Sequence, residues 1–450
     1  MSQLPFPPLS GVSAVLCICF VLLVPFALAG LALINAGLGR SRSAAHAMLT
    51  SLCVIGVSAL AYVIFGFAWQ GYIGRPSHVF NFGGHAWDWI AAEPLFSRAV
   101  GRDDLAASLV LLLQMLSVGL AGLIPLGAGA DRWRLSAICA STAFLAGITF
   151  PLFAHWVWGG GWLAQLGVNF GLGHGFVDAG GSGAIQAVGG LTALAIAWIL
   201  GPRRGKYSRE GIPAAIPGHH PVYVLFGCLL ALVGWLGLNS AGAILFCGIQ
   251  PAWVVTIAIN TLLAAGSAGL AALVITRLRF GKPDASLSAN GWVGGLVASS
   301  AACPFVNPAG AIIIGLIAGA LVPFSVEWLE LHLTVDDPGG AISVHALCGL
   351  WGILAVGLFA RFSAPVLNLA SNPGSGIGAS DAGQWVAQLV GIATLIGFVL
   401  PLTYGLNWIL NRVVPQRVTE EEERQGMDLT ELGAGAYPEF VTHTDEFTLR

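Results

Sequence analysis

Long apolar runs recur along the chain and are separated by short polar or charged segments. Each run is long enough to cross the apolar core of a bilayer as a helix, which takes about 20 residues for a thickness of roughly 30 Å. The pattern therefore predicts an all-α integral membrane protein, with eleven transmembrane helices in a membrane domain of residues 1–414. The predicted helices are 11–37, 46–70, 105–127, 135–157, 181–200, 219–239, 252–276, 285–302, 308–330, 340–360 and 384–411.

The composition is that of a polytopic membrane protein. Of the 450 residues, 56% are hydrophobic and 9% are charged, and the mean hydropathy is +0.80. Soluble domains carry about 25% charged residues. The first apolar run is interpreted as a retained helix and not as a secretory signal, because no Lys or Arg precedes Arg40 and the run is too long for a signal-peptide core.

Basic residues are distributed unevenly between alternate loops. With the N-terminus outside, 15 of the 19 Lys and Arg residues lie in inner loops or in the C-terminal tail. Because cytoplasmic loops are enriched in basic residues, the N-terminus is predicted outside and the C-terminus in the cytoplasm. The inner set is Arg40, Arg42, Arg132, Arg134, Arg203, Arg204, Lys206, Arg209, Arg277, Arg279, Lys282, Arg412, Arg417, Arg424 and Arg450, and the outer set is Arg75, Arg98, Arg102 and Arg361.

A pattern in segment 178–194 returns in the same register in segment 337–353. The predicted topology starts the first segment outside and the second inside. An inverted-topology repeat of five plus five helices, with one helix added, produces this arrangement. The alternative is a chance similarity between two Gly-rich helix starts. The matched residues are Asp178 with Asp337, Gly180–Gly181 with Gly339–Gly340, Gln186 with His345, Ala187 with Ala346, and Gly190 with Gly349.

Gln186 and His345 each lie eight residues after the aspartate that opens their segment. Eight helical residues rise about 12 Å, so both side chains are predicted near the middle of the bilayer, where polar groups are costly and usually functional. The imidazole is expected to be neutral because water is excluded there. The amide can hydrogen-bond to the imidazole but cannot take up a proton. The alternative for His345 is a satisfied core histidine.

Two polar segments lie outside the predicted helices. The loop 71–104 is rich in Trp, Phe and Gly and is predicted to be an extracellular cap without an assigned role. Residues 415–450 are predicted to be an acidic cytoplasmic tail that is ordered only if it docks. Its acidic residues are Glu420, Glu421, Glu422, Glu423, Asp428, Glu431, Glu439, Asp445 and Glu446.

The remaining polar chemistry does not indicate catalysis. The sequence contains no nucleotide-binding loop and no nucleophile–base set, so no enzymatic activity, cofactor, metal or nucleic-acid partner is expected. Nearly all eight cysteines lie in apolar segments and are expected to be small buried hydrophobes. Five further histidines are expected to be structural or solvated, namely His155, His174, His219, His220 and His332.

Five motifs carry a resemblance to a known family. They are His155–Gly161 (HWVWGGG), Asp178–Gly181 (DAGG), Gly234–Asn239 (GWLGLN), the segment from Asp336 to His345, and Glu421–Asp428 (EEERQGMD). Together they resemble the ammonium transporter family of Amt, Mep and Rhesus proteins over nearly the whole chain. The resemblance implies a homotrimer with one pore per eleven-helix subunit, passage of ammonium-derived nitrogen, and a PII-type cytoplasmic regulator as a partner of the tail.

The resemblance also assigns roles to particular residues. In that family an outer site recruits NH₄⁺ with a Trp, a Phe and a Ser beside a buried Asp, two Phe close the outer pore, and two hydrogen-bonded histidines line the lumen. The matching positions are Trp158 for the Trp, Asp178 for the Asp and His345 for the second histidine. The departures are Gln186 for the first histidine, Ser117 for the outer Phe, Leu238 for the second gate Phe and Gly242 for the recruiting Ser.

These departures predict either weaker recruitment of ammonium or a somewhat different substrate, together with altered handling of the proton or poor conduction. From the residues alone, Trp158 is either an aromatic-belt anchor or a cation–π platform, and Asp178 is expected both to cap a helix and to stabilise a nearby cation. Three hypotheses follow: an ammonium/ammonia channel or transporter with an altered pore, an ammonium sensor with little flux, or a channel for another small neutral solute such as methylamine or water.

Overall fold

The computed structural model describes residues 9–101, 103–362 and 382–437. Within these ranges ten helices are long and apolar enough to cross a membrane. The apolar runs form helices because a backbone in hydrocarbon must satisfy its N–H and C=O groups internally. With the shorter α8, the helices are α1 Gly11–Leu38, α2 Ser41–Gln70, α3 Leu105–Gly129, α4 Leu135–Trp158, α5 Ser182–Leu200, α6 Pro221–Cys247, α7 Pro251–Phe280, α8 Ala285–Ser300, α9 Pro308–Leu333, α10 Ile342–Phe359 and α11 Gln384–Val413.

Helix α8 differs from the other ten in length. It has 16 residues and therefore rises about 24 Å, which is less than the roughly 30 Å apolar core of a bilayer. Helices α6, α7, α9 and α10 surround it, and most of its side chains are buried. Helix α8 therefore contacts mainly protein and not lipid, so it need not be as long as a helix that faces lipid.

Small residues set the spacing of several helix pairs. Where α1 crosses α6, a Cβ on Gly227 would lie 2.6 Å from the carbonyl oxygen of Gly30. Where α8 crosses α7, Gly291 and Gly295 pack on the backbone carbonyls of Ala268 and Ala264. Such close backbone approach is how membrane helices gain packing energy without a hydrophobic driving force between them.

The outer loop contains a β-hairpin, which corrects the all-α prediction at this point. Strands β1 (Ser77–Phe82) and β2 (His85–Ala91) pair antiparallel. They are joined by Gly83 and Gly84, whose φ angles are +62° and +82°. A Gly-Gly turn between runs rich in aromatic residues favours a two-residue hairpin, because its left-handed residues match the twist of the strands.

The part of the tail that the structure describes docks on one end of the helical domain. The Asp428 carboxylate accepts the backbone N–H groups of Ala45 (3.2 Å) and His46 (2.8 Å) in the first turns of α2. The Glu431 carboxylate accepts the N–H of Leu135 (2.9 Å) at the start of α4. A short helix, α12 (Glu420–Gln425), precedes these contacts and begins with a capping box. The tail was predicted to be ordered only if it docks, and its described part, up to residue 437, is docked.

Some residues used in the sequence predictions cannot be compared with the structure. Arg102 in the outer loop lies outside the described residues, as do four residues of the tail: Glu439, Asp445, Glu446 and Arg450.

A buried ion cluster joins the ends of α3, α5 and α10 on the face where the tail docks. Arg203 donates to both oxygens of Asp336 (2.9 and 3.0 Å) and to Asp131 (3.0 Å). Burial raises the pKa of Asp336, but the hydrogen bonds and charge of Arg203 outweigh burial and lower that pKa to about 2. The pair therefore contributes its full stability above the usual aspartate pKa of about 4, and loses it as pH falls through about 2.

Candidate functional site

The two repeated segments fold into matching loop-to-helix turns. The Asp178 carboxylate accepts the N–H groups of Gly181, Gly183 and Ala184, each at 2.9 Å. Three N–H groups at the start of α5 are thereby satisfied by a side chain. The capping role expected for Asp178 is confirmed by these bonds.

Asp337 makes the corresponding turn at the start of α10. Its carboxylate accepts the N–H groups of Ala341 (3.0 Å) and Ile342 (2.7 Å). The matched glycines Gly181 and Gly340 both have positive φ, +92° and +66°, a conformation that a residue with a Cβ adopts only with strain. The aligned aspartates and glycines thus have the same local structure in both copies.

Each turn continues into a π-helical turn that carries the predicted pore residue. These turns are Ser182–Ala187, which contains Gln186, and Ile342–Leu347, which contains His345. Wide π turns displace the side chains of a helix from its regular face and occur frequently at functional sites.

The structure brings Gln186 and His345 into direct contact. The Nδ1 of His345 lies 2.7 Å from the Oε1 of Gln186, and the two side chains are 2% and 0% exposed. An amide oxygen only accepts hydrogen bonds, so Nδ1 carries the imidazole proton and Nε2 presents a lone pair. The Gln186 amide nitrogen has no partner among the described residues. The pair therefore offers two unused N–H donors and one nitrogen acceptor.

The helices that carry this pair cross at two matched glycines. A Cβ on Gly190 of α5 would collide with the backbone nitrogen of Ala346 on α10. In return, a Cβ on Gly349 of α10 would lie 2.6 Å from the Ser182 carbonyl oxygen and 3.1 Å from the nitrogen of Ala187. Gly190 therefore packs on the π turn of α10, and Gly349 packs on the π turn of α5. This reciprocal contact holds the Gln186 amide and the His345 imidazole at hydrogen-bonding distance.

Trp158 lies beside Phe246, an aromatic residue that is not among the predicted site residues. Its indole N–H donates to the carbonyl oxygen of Asp178 (2.8 Å). The ring of Phe246 stacks on the indole at 4.5 Å with an interplanar angle of 12°. One face of Trp158 is therefore covered by an aromatic ring and is closed to a cation in this conformation. Phe246 lies one helical turn after Gly242 on α6, and no feature of the sequence distinguishes it from the other apolar residues of that helix.

The other predicted outer residues lie in packed surroundings. Gly242 approaches the backbone of Ala179, whose carbonyl oxygen would lie 2.5 Å from an added Cβ. Leu238 is buried on the same helix. The Ser117 hydroxyl donates to the Leu113 carbonyl in its own helix (2.8 Å). The structure thus places Gly242 against the loop that carries Asp178, while the Ser117 hydroxyl is satisfied within α3.

The buried His155 side chain connects the β-hairpin to the helix that ends in Trp158. His155 contacts the Gln70 carbonyl oxygen through Nδ1 (2.7 Å) and the Asp88 carboxylate through Nε2 (3.0 Å). The imidazole thus joins the end of α2 to the hairpin through both of its ring nitrogens. His155 therefore has the structural role expected, and the hairpin braces the last turn of α4 through this contact.

Asp88→Asn is expected to destabilise the protein by about 1–3 kcal/mol, because a neutral amide replaces the carboxylate that contacts the buried His155 ring. The unfolding temperature in detergent should fall by several degrees. Asp103→Asn is the matched control, since Asp103 is an exposed aspartate of the same loop and its substitution should have little effect. An unchanged unfolding temperature for Asp88→Asn would show that the hairpin does not brace α4.

Comparison with known proteins agrees with this architecture. The model of the Ammonium Transporter Family matches residues 14–437. The chain is 34% identical to ammonium transporter Amt2 of Archaeoglobus fulgidus, over 100% of this chain and 92% of that protein. The chain belongs to the ammonium transporter family. The ammonium transporter of Bacillus subtilis is 33% identical over 91% of this chain and 94% of its own length.

Two solved structures of ammonium transporter family proteins resemble the fold. A structure described as a sensor Amt protein has a TM-score of 0.81 and 28% identity, over 94% of this chain and 98% of that one. Mep2 of Candida albicans has a TM-score of 0.75 over 97% of this chain and 92% of that one. At 24% identity, the second likeness concerns the fold alone.

Proposed function

We propose that this chain is a channel or transporter that passes ammonium-derived nitrogen across the membrane through a pore at Gln186 and His345. The observation that carries the proposal is the buried amide–imidazole pair, 2.7 Å apart at the crossing of two membrane helices. Polar groups at such a depth are costly unless they serve a pathway. Membership of the ammonium transporter family supports ammonium or ammonia as the substrate.

The chemistry of the pair suits ammonia. An NH₃ molecule accepts one hydrogen bond and donates others, and the pair presents the unused Gln186 N–H groups beside the lone pair of His345 Nε2. A proton cannot pass along the pair, because an amide does not take up a proton at physiological pH. The nitrogen would therefore cross this level neutral, with its proton handled elsewhere or left behind.

The proposed topology includes α8 as an eleventh span, with an inverted repeat of α1–α5 and α6–α10 and the added helix α11. The reciprocal packing of Gly190 and Gly349 on the matched segments supports the repeat. The tail contacts three loops rich in Arg, through Arg134, Arg204 and Arg42. Their location on one face supports a cytoplasmic C-terminus and an outer N-terminus by the positive-inside rule.

The assembly and the site roles are proposed from family membership. They are a homotrimer in the bacterial inner membrane, a membrane domain of residues 1–414 with a tail of 415–450, and a PII-type regulator that meets the tail. Trp158 and Asp178 would recruit ammonium at positions where Ser117 and Gly242 replace the usual aromatic ring and hydroxyl. Leu238 would line the pore above Gln186.

Sensing of ammonium is the second candidate function. It is favoured by the stacking of Phe246 on Trp158, which covers the cation platform. The likeness to the solved structure described as a sensor Amt protein also favours it. On this hypothesis, ammonium binding moves Phe246, and this conformational change is the output of the protein in place of ammonium transport.

Purified protein in liposomes separates the two functions. An inward ammonium gradient is expected to produce uptake above that of empty liposomes. Phe246→Ala should increase the uptake several-fold because it uncovers Trp158. If ammonium binds, as judged by a rise in unfolding temperature, and neither the natural chain nor Phe246→Ala produces uptake or current, the sensor hypothesis replaces transport.

A further inference from the structure

Two small cavities follow one another between His345 and the face where the tail docks. The first is lined by His345, Asn35 and Asn290 together with the backbone around Gly339. The second lies at the ends of α1, α2 and α3 and is lined by Asn35, Ser43, His46, Thr50, Asp131 and Trp133. Asn35 lines both, so its side chain stands between the pore pair and the second cavity, here named the exit cavity.

Two polar side chains of the exit cavity lack partners. Ser43 and His46 are 4% and 6% exposed, and the Ser43 hydroxyl and the His46 Nε2 make no hydrogen bond among the described residues. Leaving a buried polar atom unpaired costs about 1–3 kcal/mol. By contrast, the Thr50 hydroxyl in the same wall donates a hydrogen bond to the Ala47 carbonyl oxygen (3.0 Å). The two free atoms therefore point to a ligand that forms hydrogen bonds with them.

The charges around the cavity favour a cation. The Glu431 carboxylate of the docked tail lies 4.0 Å from the His46 Nε2. The Asp428 carboxylate accepts the backbone N–H groups of Ala45 and His46 directly below. Asp131 in the opposite wall is balanced by Arg203 (3.0 Å). Among the described residues, neither Glu431 nor Asp428 forms an ion pair with Lys or Arg, so the charge next to the free atoms is negative and comes from the tail.

We propose that the exit cavity is a second binding site, for ammonium or another small monovalent cation that donates hydrogen bonds. Ser43 Oγ and the neutral His46 Nε2 accept N–H groups of the ligand, and Glu431 supplies the opposing charge. The proposal rests on the proposed function in one respect: it places this site at the cytoplasmic end of the pore, where nitrogen leaves or enters. The docked tail then forms part of the site, because it contributes the Glu431 carboxylate.

Binding is tested first without transport, by unfolding temperature in detergent. Ammonium chloride is expected to raise the unfolding temperature of the natural chain relative to lithium chloride. Ser43→Ala and His46→Gln should lose much of this ammonium-specific rise. Ser51→Ala is the matched control, because Ser51 belongs to the same helix and its hydroxyl already donates to Ala47 (2.7 Å). Glu431→Gln should reduce the rise as well, since it removes the charge.

Transport from each side of the liposome membrane then locates the site. With labelled methylammonium, Ser43→Ala should raise the half-saturating concentration from the tail side about tenfold, as expected for one lost hydrogen bond to a charged ligand. The value from the other side should change less than about twofold, and Ser51→Ala should match the natural chain from both sides.

The two assays distinguish the failure of this site from the failure of the proposed function. If the natural chain moves no methylammonium from either side, transport is wrong, and the unfolding measurement still decides whether the exit cavity binds ammonium. If Ser43→Ala and His46→Gln both retain the full ammonium-specific rise shown by Ser51→Ala, the exit cavity is not an ammonium site, whatever the flux.

Discussion

Gln186→His is expected to increase the ammonium-driven current by about tenfold or more, and to raise the charge moved per nitrogen toward one elementary charge. It places a second imidazole against His345 and provides a group that can take up a proton, which Gln186 lacks. A positioned proton acceptor typically changes the rate of proton-dependent steps by about 10²-fold or more. The measurement is ammonium-driven current alongside labelled methylammonium uptake in proteoliposomes.

Gln186→Leu is the matched control, because leucine has a similar size but no hydrogen-bonding group. It leaves the buried His345 N–H without an acceptor, at a cost of about 1–3 kcal/mol, and it should reduce uptake without any gain in current. If uptake, current and selectivity are the same for Gln186→His and the natural chain, Gln186 does not control passage of the proton.

Gly190→Ala is expected to prevent correct packing of α5 on α10. The added Cβ meets the backbone of Ala346, and two helical backbones cannot move aside as a flexible side chain can. Overpacking of a core costs about 1–3 kcal/mol and sometimes more, and here it also separates Gln186 from His345. We expect low yields of monodisperse protein in detergent, a fall in unfolding temperature, and little uptake by the protein that remains.

The control is Gly266→Ala on α7, where an added Cβ meets nothing within 4 Å. Since alanine favours a helix by about 1 kcal/mol over glycine, this variant should be neutral or slightly stabilised. Gly349→Ala, at the matched position of α10, should resemble Gly190→Ala, because its Cβ would lie 2.6 Å from the Ser182 carbonyl. A normal yield and activity for Gly190→Ala would show that the crossing tolerates more space than the structure indicates.

The helices themselves were predictable from the sequence, since hydrocarbon forces each long apolar run to satisfy its own backbone. The contact between Gln186 and His345 was predictable as well, because the two residues hold the same place in two copies of one pattern. The hairpin was missed although its signal, Gly83–Gly84 between aromatic runs, lies in the sequence. Hydropathy identifies membrane helices but does not report turn geometry, and turn geometry determines the structure of this loop.

Phe246 and the exit cavity belong to a different class. Phe246 is one apolar residue among many on α6, and only the approach of α4 places it over Trp158. Ser43 and His46 become notable because the ends of α1 and α3, together with the tail, bury them without partners. No local sequence pattern distinguishes Ser43 and His46 from ordinary polar residues at the end of a helix.

The sequence by itself determined the class of the protein, its family and the two segments that meet in the membrane. These depend on properties repeated along the chain: apolar length, the distribution of basic residues, and a motif present twice. The tertiary structure alone decided which faces are covered, namely the stacking on Trp158, the protein-enclosed shorter α8, and the cavity beneath the tail. Such contacts join residues far apart in the chain, and their energies arise only once the helices have packed.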